Sequence, residues 1–309
     1  MIILILNKTD ISSSIKYFKD VNIYYCFVFL LTLILGFILR AIRWQLICSN
    51  KVIFFNSLKS ILVGYSANNV LPFRAGEIIR IVYFSKKENV SKSYVTSSLV
   101  SEKILDFISI LVLLLSLMLP FGLVASDLVK DYFFIIVVLA GAFLLVLGFL
   151  SRWSENITNC INNSRLSGKW IFKKIAVFIE SFKFLKRRRN FIYILLLGFL
   201  IWLLEALLFY WIIISMEFKI YPFSAAIASM GFVAFGILIP SAPAYIGLFQ
   251  GMVIIALNSY GYQNEESLAI GILVHICQLI PVTLSGLFIY FLEARKVVTN
   301  QKITNNCES

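Results

Sequence analysis

A chain of 309 residues that is 60% hydrophobic, 14% charged and contains 28 phenylalanines carries more apolar surface than a water-soluble core can hide. Its formal net charge of +12 argues for basic cytoplasmic loops and against nucleic-acid binding, because lysine and arginine in apolar chains collect on the inner side and set orientation. No segment alternates as an outer-membrane barrel strand does, so the expected fold is an all-α polytopic membrane protein.

In chain order, residues 1–22 read as a short N-terminal segment. Its start, "MIILILNK", lacks the length and charged flank of a secretory signal. Full spans are expected at about 23–47, 94–121, 132–151, 191–215 and 266–292, within one membrane domain over 23–292. The stretch 151–190 holds Arg152, Arg165, Lys169, Lys173, Lys174, Lys183, Lys186, Arg187, Arg188 and Arg189 against Glu155 and Glu180, which marks a cytoplasmic loop. Trp170, Ile171, Ile175, Phe178, Ile179, Phe182 and Leu185 recur there at helical spacing. They form the apolar face of an amphipathic helix that lies either on the inner leaflet or on the protein's own surface. "SDLVKD" and "NSYGYQNEES" are not basic and are expected outside. Arg295, Lys296 and Lys302 place the tail 293–309 in the cytoplasm.

Two apolar stretches do not fit as simple spans. Residues 52–93 have basic flanks at both ends and break at Pro72 and Gly76. Residues 222–258 have acidic or neutral flanks at both ends and break at Pro240, Pro243 and Gly247. The reading is two re-entrant hairpins entering from opposite faces in an inverted-repeat arrangement, with tips "LPFRAG" and "IPSAPA" in faint correspondence. Broken apolar segments in matching halves point to a transporter's binding site. Two plain helical hairpins with proline kinks would leave the loops on the same sides.

The first hairpin concentrates polar groups. Arg74 stands before a half-helix beginning near Gly76, whose free N–H groups and dipole attract anions, and its guanidinium fork fits phosphate. Asn68 and Asn69 can add hydrogen bonds. The alternative has Arg74 and Arg80 pairing with Glu77 or reaching the interface, and Arg80 is assigned to that structural role. In the next span Glu102 and Asp106 share a helix face, with Lys103 one step round. Charged groups there need partners, expected among Arg74, Arg80 and Lys103. Arg40 and Arg43, beside Trp44, read as a boundary anchor. Glu205 lies deep in "FLIWLLEALLFYW" and needs a partner. His275, the single histidine, is either a packed hydrogen-bonding residue or a ligand-facing one. Substrate contacts are therefore expected from Asn68, Asn69, Arg74, Gly76, Glu77, Glu102, Asp106, Ser241, Gly247 and His275. Structural roles are expected for Arg40, Arg43, Pro72, Arg80, Lys103, Glu205, Pro240 and Pro243. The five cysteines show no zinc or CxxC spacing, and no cofactor or metal motif is found.

The stretches "LRAIRW", "NNVLPFRAGEIIR", "SSLVSEKILDF", "PSAPAYIGLFQG" and "HICQLIPVTLSG" fall in order across about 24–290. Together they resemble the lysylphosphatidylglycerol synthase transmembrane (flippase-like domain) family. The resemblance implies a membrane domain that carries a charged lipid between leaflets. The best-understood relatives add a cytoplasmic aminoacyl-transferase domain, and in departure from them a stand-alone membrane domain is expected here. Relative to the family pattern, the usual first helix is expected to be missing, with "MIILIL" either its remnant or the sign of a true start further upstream. Ala244 replaces a usual glycine, Gln250 a common acidic residue and His275 a frequent arginine.

The expected function is an inner-membrane translocase for a charged phospholipid or polyprenyl-linked intermediate in a bacterial or archaeal cytoplasmic membrane. The alternatives are a membrane component of an aminoacyl- or glycosyl-transferase system, working with a separate transferase enzyme, and an accessory scaffold in envelope biogenesis. The enzyme reading could draw on the carboxylates and His275 as acid and base, but no donor-binding motif accompanies them.

Overall fold

The computed structural model describes residues 14, 16–48, 52–118, 188–218, 221–237 and 242–307. The expected span at 132–151, the basic loop as far as 187, and Pro240 and Ser241 lie outside them; the last three residues of the expected loop, 188–190, begin a helix. Among the described residues every regular element is helical: α1 (Ile23–Ile47), α2 (Phe54–Val70), α3 (Ala75–Lys87), α4 (Lys92–Met118), α5 (Arg188–Ser215), α6 (Pro222–Gly236), α7 (Leu248–Asn258) and α8 (Asn264–Cys307), with 3-10 turns at Tyr17–Asp20 and Pro243–Tyr245.

Local chemistry sets the ends. Asn22 caps α1, its side-chain oxygen accepting the Tyr24 N–H at 3.0 Å. Pro72 follows α2 and excludes helical backbone from the residue before it, so the helix stops at Val70. Pro222 opens α6 at a position where its missing N–H costs nothing.

Three helices are long and apolar enough to cross a membrane: Ile23–Ile47, Asn190–Ser215 and Asn264–Arg295. They coincide with three of the expected spans, and α8 runs on helically through the expected tail to Cys307. Helix α4 has 27 residues but carries Glu102, Lys103 and Asp106. The remaining helices are short. At 1.5 Å per residue, α3, α6 and α7 measure about 20, 22 and 16 Å, against a hydrocarbon core of about 30 Å.

Each short pair meets at a tip. Helices α2 and α3 pack closely because residues 64 and 76 are both glycine. A Cβ on Gly76 would overlap the Gly64 carbonyl oxygen and lie 2.6 Å from Asn68 Oδ1. The second pair, α6 and α7, packs likewise, and its turn Pro243–Tyr245 rests against α2. The first tip, Val70–Phe73, and Pro243 of the second are exposed, while Gly76 and Ala244 behind them are buried. Helix α1 packs on α5, and α8 on α2 and α7.

The tips correspond differently from the expected alignment. Phe73 and Arg74 have φ of 58° and 55°; Ala244 and Tyr245 have φ of 55° and 58°. Each left-handed pair follows a proline and precedes a glycine, as "PFRAG" and "PAYIG". The repeat is therefore centred on Pro243, which pairs Arg74 with Tyr245 and Gly76 with Gly247. An L-residue in the left-handed region costs about 1–2 kcal/mol, so the matching pair is a feature the packing enforces.

Substituting Gly76→Ala should force α2 and α3 apart and destabilise the folded chain by about 1–3 kcal/mol, as overpacking does. Thermal unfolding in detergent micelles measures the loss.

Candidate functional site

The buried charges form one linked set. Arg80 on α3 reaches both oxygens of Glu102 on α4, at 3.4 and 2.9 Å. Arg43 on α1 lies 2.6 Å from Asp106 Oδ1 and 3.9 Å from Glu102. Arg40, one turn earlier, pairs with Glu205 on α5 at 2.5 Å, and Gln278 on α8 donates to the second Glu205 oxygen at 3.1 Å. The indole N–H of Trp202 donates to Asp106 at 3.0 Å. The Arg80 guanidinium sits 3.9 Å from the ring centre of Trp44, whose own N–H donates to Ser98. Arg43 is fully buried, while Arg40, Arg80, Glu102 and Asp106 are 2–7% exposed.

These contacts revise several expectations. Arg43 is no boundary anchor: it is the partner of Asp106, because α1 carries it into the interior beside α4. Of the two partners open to Arg80, it pairs with Glu102 and not with Glu77. Arg74 does not reach Glu102 or Asp106; it lies 3.5 Å from Glu77, which Lys103 also approaches at 3.3 Å. Glu205 has the partner it required in Arg40.

Two cavities adjoin this set. The first, about 160 Å³, is bordered by Asn68, Arg74, Gly76, Glu77, Lys103 and Asp106 among others. The second, about 170 Å³, is bordered by Arg40, Glu205, Phe249, His275 and Gln278. Tyr65, Asn69, Trp202, Ala234, Ile237 and Tyr245 line both, so they form the partition between the two. An outer cleft of about 370 Å³ between α3 and α4 shares Glu77, Lys103 and Phe107 with the first cavity. The Glu77–Lys103 pair thus stands between that cleft and the interior.

Backbone and amides complete the walls. The Gly76 N–H at the start of α3 donates to Asn68 Oδ1 at 2.8 Å. At the second tip the Gly247 N–H donates to Gln250 Oε1 at 2.9 Å, and Gln250 Nε2 lies 2.9 Å from His275 Nδ1. His275 stacks on Phe249, with ring centres 4.4 Å apart. Gly247 caps α7 and holds Gln250 but does not border either cavity. Asn69 donates to Thr283 Oγ1 at 2.8 Å while facing both cavities.

Of the expected contact residues, Asn68, Asn69, Arg74, Gly76, Glu77 and Asp106 gather at the first cavity and His275 at the second. Glu102 lies behind them in the ion-pair set, and Ser241 is outside the described residues. Sequence reasoning passed over Tyr65, Trp202 and Tyr245. The Pro-x-x-x-Gly repeat contained the signal for Tyr245, since it sets that residue opposite Arg74. Tyr65 lies one helical turn before Asn69 and so shares its face.

Three long apolar helices, charges paired across α1, α3, α4 and α5, and half-open cavities bordered by those charges define a multi-pass helical membrane protein with buried ion pairs. The chain belongs to the family described as lysylphosphatidylglycerol synthase TM region, whose model matches residues 1–286, and that membership makes it a membrane domain related to lipid handling. No curated protein and no solved structure matches the chain.

Replacing Arg43 by Ala leaves Asp106 short of its cation and should cost about 3–5 kcal/mol, the usual price of a half-removed buried pair. Arg43→Met combined with Asp106→Leu should recover most of that loss. Chemical unfolding of the purified variants in one detergent compares them.

Proposed function

We propose that the chain is a carrier that moves a charged lipid, a phospholipid or a polyprenyl-linked intermediate, between the leaflets of a bacterial or archaeal cytoplasmic membrane. The headgroup passes the cavities between the hairpin tips while the acyl chains stay in lipid. The observation that carries this reading is the pair of charge-bordered cavities separated by a thin partition of side chains. Charged groups and left-handed backbone persist at such depth where they line a polar passage.

In this reading the two short helical pairs are re-entrant, since their helices are shorter than the hydrocarbon is thick. Arg74 binds the phosphate in the first cavity, beside the start of α3, whose Gly76 N–H is held by Asn68. Glu77 and Lys103 part to admit the headgroup from the cleft between α3 and α4. Tyr65, Asn69, Trp202 and Tyr245 are the barrier it crosses next. Arg40, Glu205 and His275 receive it on the other side. The buried pairs Arg43–Asp106 and Arg80–Glu102 hold the walls and stay formed. In this reading the basic segments, Arg295, Lys296 and Lys302 among them, lie on the cytoplasmic side, and the C-terminus with them. A separate transferase enzyme fits this reading as the source of the cargo.

The test is leaflet-resolved transport of labelled anionic, zwitterionic and aminoacylated phospholipids and of polyprenyl-phosphate sugars in vesicles holding the purified chain. At least one should exchange faster than in protein-free vesicles. Arg74→Ala should slow that exchange about tenfold or more, the worth of a charge-assisted phosphate contact, without loss of folded protein. Folded chain that stimulates none of them would leave the scaffold reading in its place.

A further inference from the structure

A second, larger hollow lies away from these cavities. It holds about 900 Å³ and runs between α2, α3 and α8. Small residues make its floor: Ser66 and Ala67 on α2 and Gly286 on α8. A Cβ at Gly286 would overlap the Leu62 carbonyl oxygen and the Ser66 side chain, so the two helices touch at their backbones. Val70, Leu71, Ile78, Val82 and Leu287 make apolar walls.

The hollow is charged at one end only. Lys86, Lys87 and Glu293 border that end, together with Tyr83. Glu293 is shared by Lys87 at 2.5 Å and Lys59 at 3.0 Å. Lys86 has no ion-pair partner among the described residues. Three lysines against one carboxylate leave the end positive. The Tyr83 hydroxyl there is buried and lacks a hydrogen-bond partner. From Ile78 to Lys87 the helix rises about 14 Å, so the apolar trough leads directly to the lysines.

We infer that this groove is a binding site for a resident phospholipid with an anionic phosphate headgroup, distinct from the cargo path. The acyl chain lies along the trough between Val70 and Leu287. The phosphate meets Lys86 and the face of Lys87 not used by Glu293, and it accepts from Tyr83 after a small side-chain shift. A lipid has the two properties the groove complements: a long apolar body that needs no hydrogen bonds, and one anionic end. It is retained because the carboxylate of Glu293 is already shared between Lys59 and Lys87 and leaves Lys86 uncompensated.

The site is tested by binding, without any transport readout, so its failure is separate from failure of the carrier reading. The full chain is placed in nanodiscs of phosphatidylcholine with a trace of diazirine-bearing phosphatidylglycerol or, in parallel, diazirine-bearing phosphatidylcholine. Photolabelled peptides are mapped by mass spectrometry. The anionic probe should label the groove faces of α2, α3 and α8 well above the zwitterionic one. Lys86→Ala with Lys87→Ala should lower that preference about fivefold for each lysine removed at low salt. Lys86→Arg with Lys87→Arg should keep it, and Ala67→Trp should block labelling by filling the trough. Equal labelling by both probes, or a preference indifferent to the lysines, would show ordinary boundary lipid and overturn the inference. Exclusion of both probes with cross-linking to a second copy of the chain would overturn it too, by assigning the groove to a protein interface.

Discussion

Helices α1, α3, α4 and α5 are held in register by carboxylates that each find a guanidinium on another helix. A lone charged side chain in the centre of a membrane helix costs about 2.5–3.5 kcal/mol even on permissive scales. Glu102 and Asp106 are one turn apart on α4, so a single face of that helix must meet two cations. Arg80 from α3 and Arg43 from α1 supply them. Arg40 lies one turn from Arg43 and must then face α5, where Glu205 waits. Rotating any of these helices would strand a charge, and that constraint fixes the walls of the interior before any cargo is considered.

The polar space survives because the tips cannot close it. Each tip turns through two consecutive left-handed residues after a proline, which brings the following helix in as a short, blunt piece. The first such piece enters against α2 over Gly64 and Gly76; the second brings Tyr245 up to Tyr65 and Asn69. Large rings at these points fill the centre and leave a cavity on each side. The left-handed backbone at Ala244 also gives a physical reason why the family resemblance leads one to expect glycine there.

Much of the helix layout was legible in the residues. Length, apolar runs and basic ends located α1, α5 and α8, and Pro72 and Pro243 announced the breaks. The Arg80–Glu102 pair was within the foreseen set of partners, since both residues lie in neighbouring charged stretches. The Arg43–Asp106 pair was not, because an arginine near a helix end beside a tryptophan has an ordinary interfacial explanation, and only the crossing of α1 over α4 removes it. The partition residues were hidden for a related reason. Tyr65, Trp202 and Tyr245 look like common aromatic filler in an apolar chain, and their position between two cavities is a property of the assembled bundle. The tip repeat was misaligned by three residues because "IPSAPA" and "PAYIG" both offer a proline, and backbone torsion rather than residue identity distinguishes them.

In this member of the lysylphosphatidylglycerol synthase TM region family, the paired charges are buried and the large side chains stand between the two cavities. A carrier needs the space beside those charges to be wet although it lies among apolar helices. Substituted-cysteine labelling tests this directly, in a chain whose five native cysteines are replaced. Asn69→Cys and Ala234→Cys, both lining the partition, should react with a small membrane-impermeant thiol reagent in sealed vesicles, whereas Leu35→Cys on the outer face of α1 should not. If the partition cysteines stay as inert as Leu35→Cys from either side of the membrane, the interior is dry and the account is wrong.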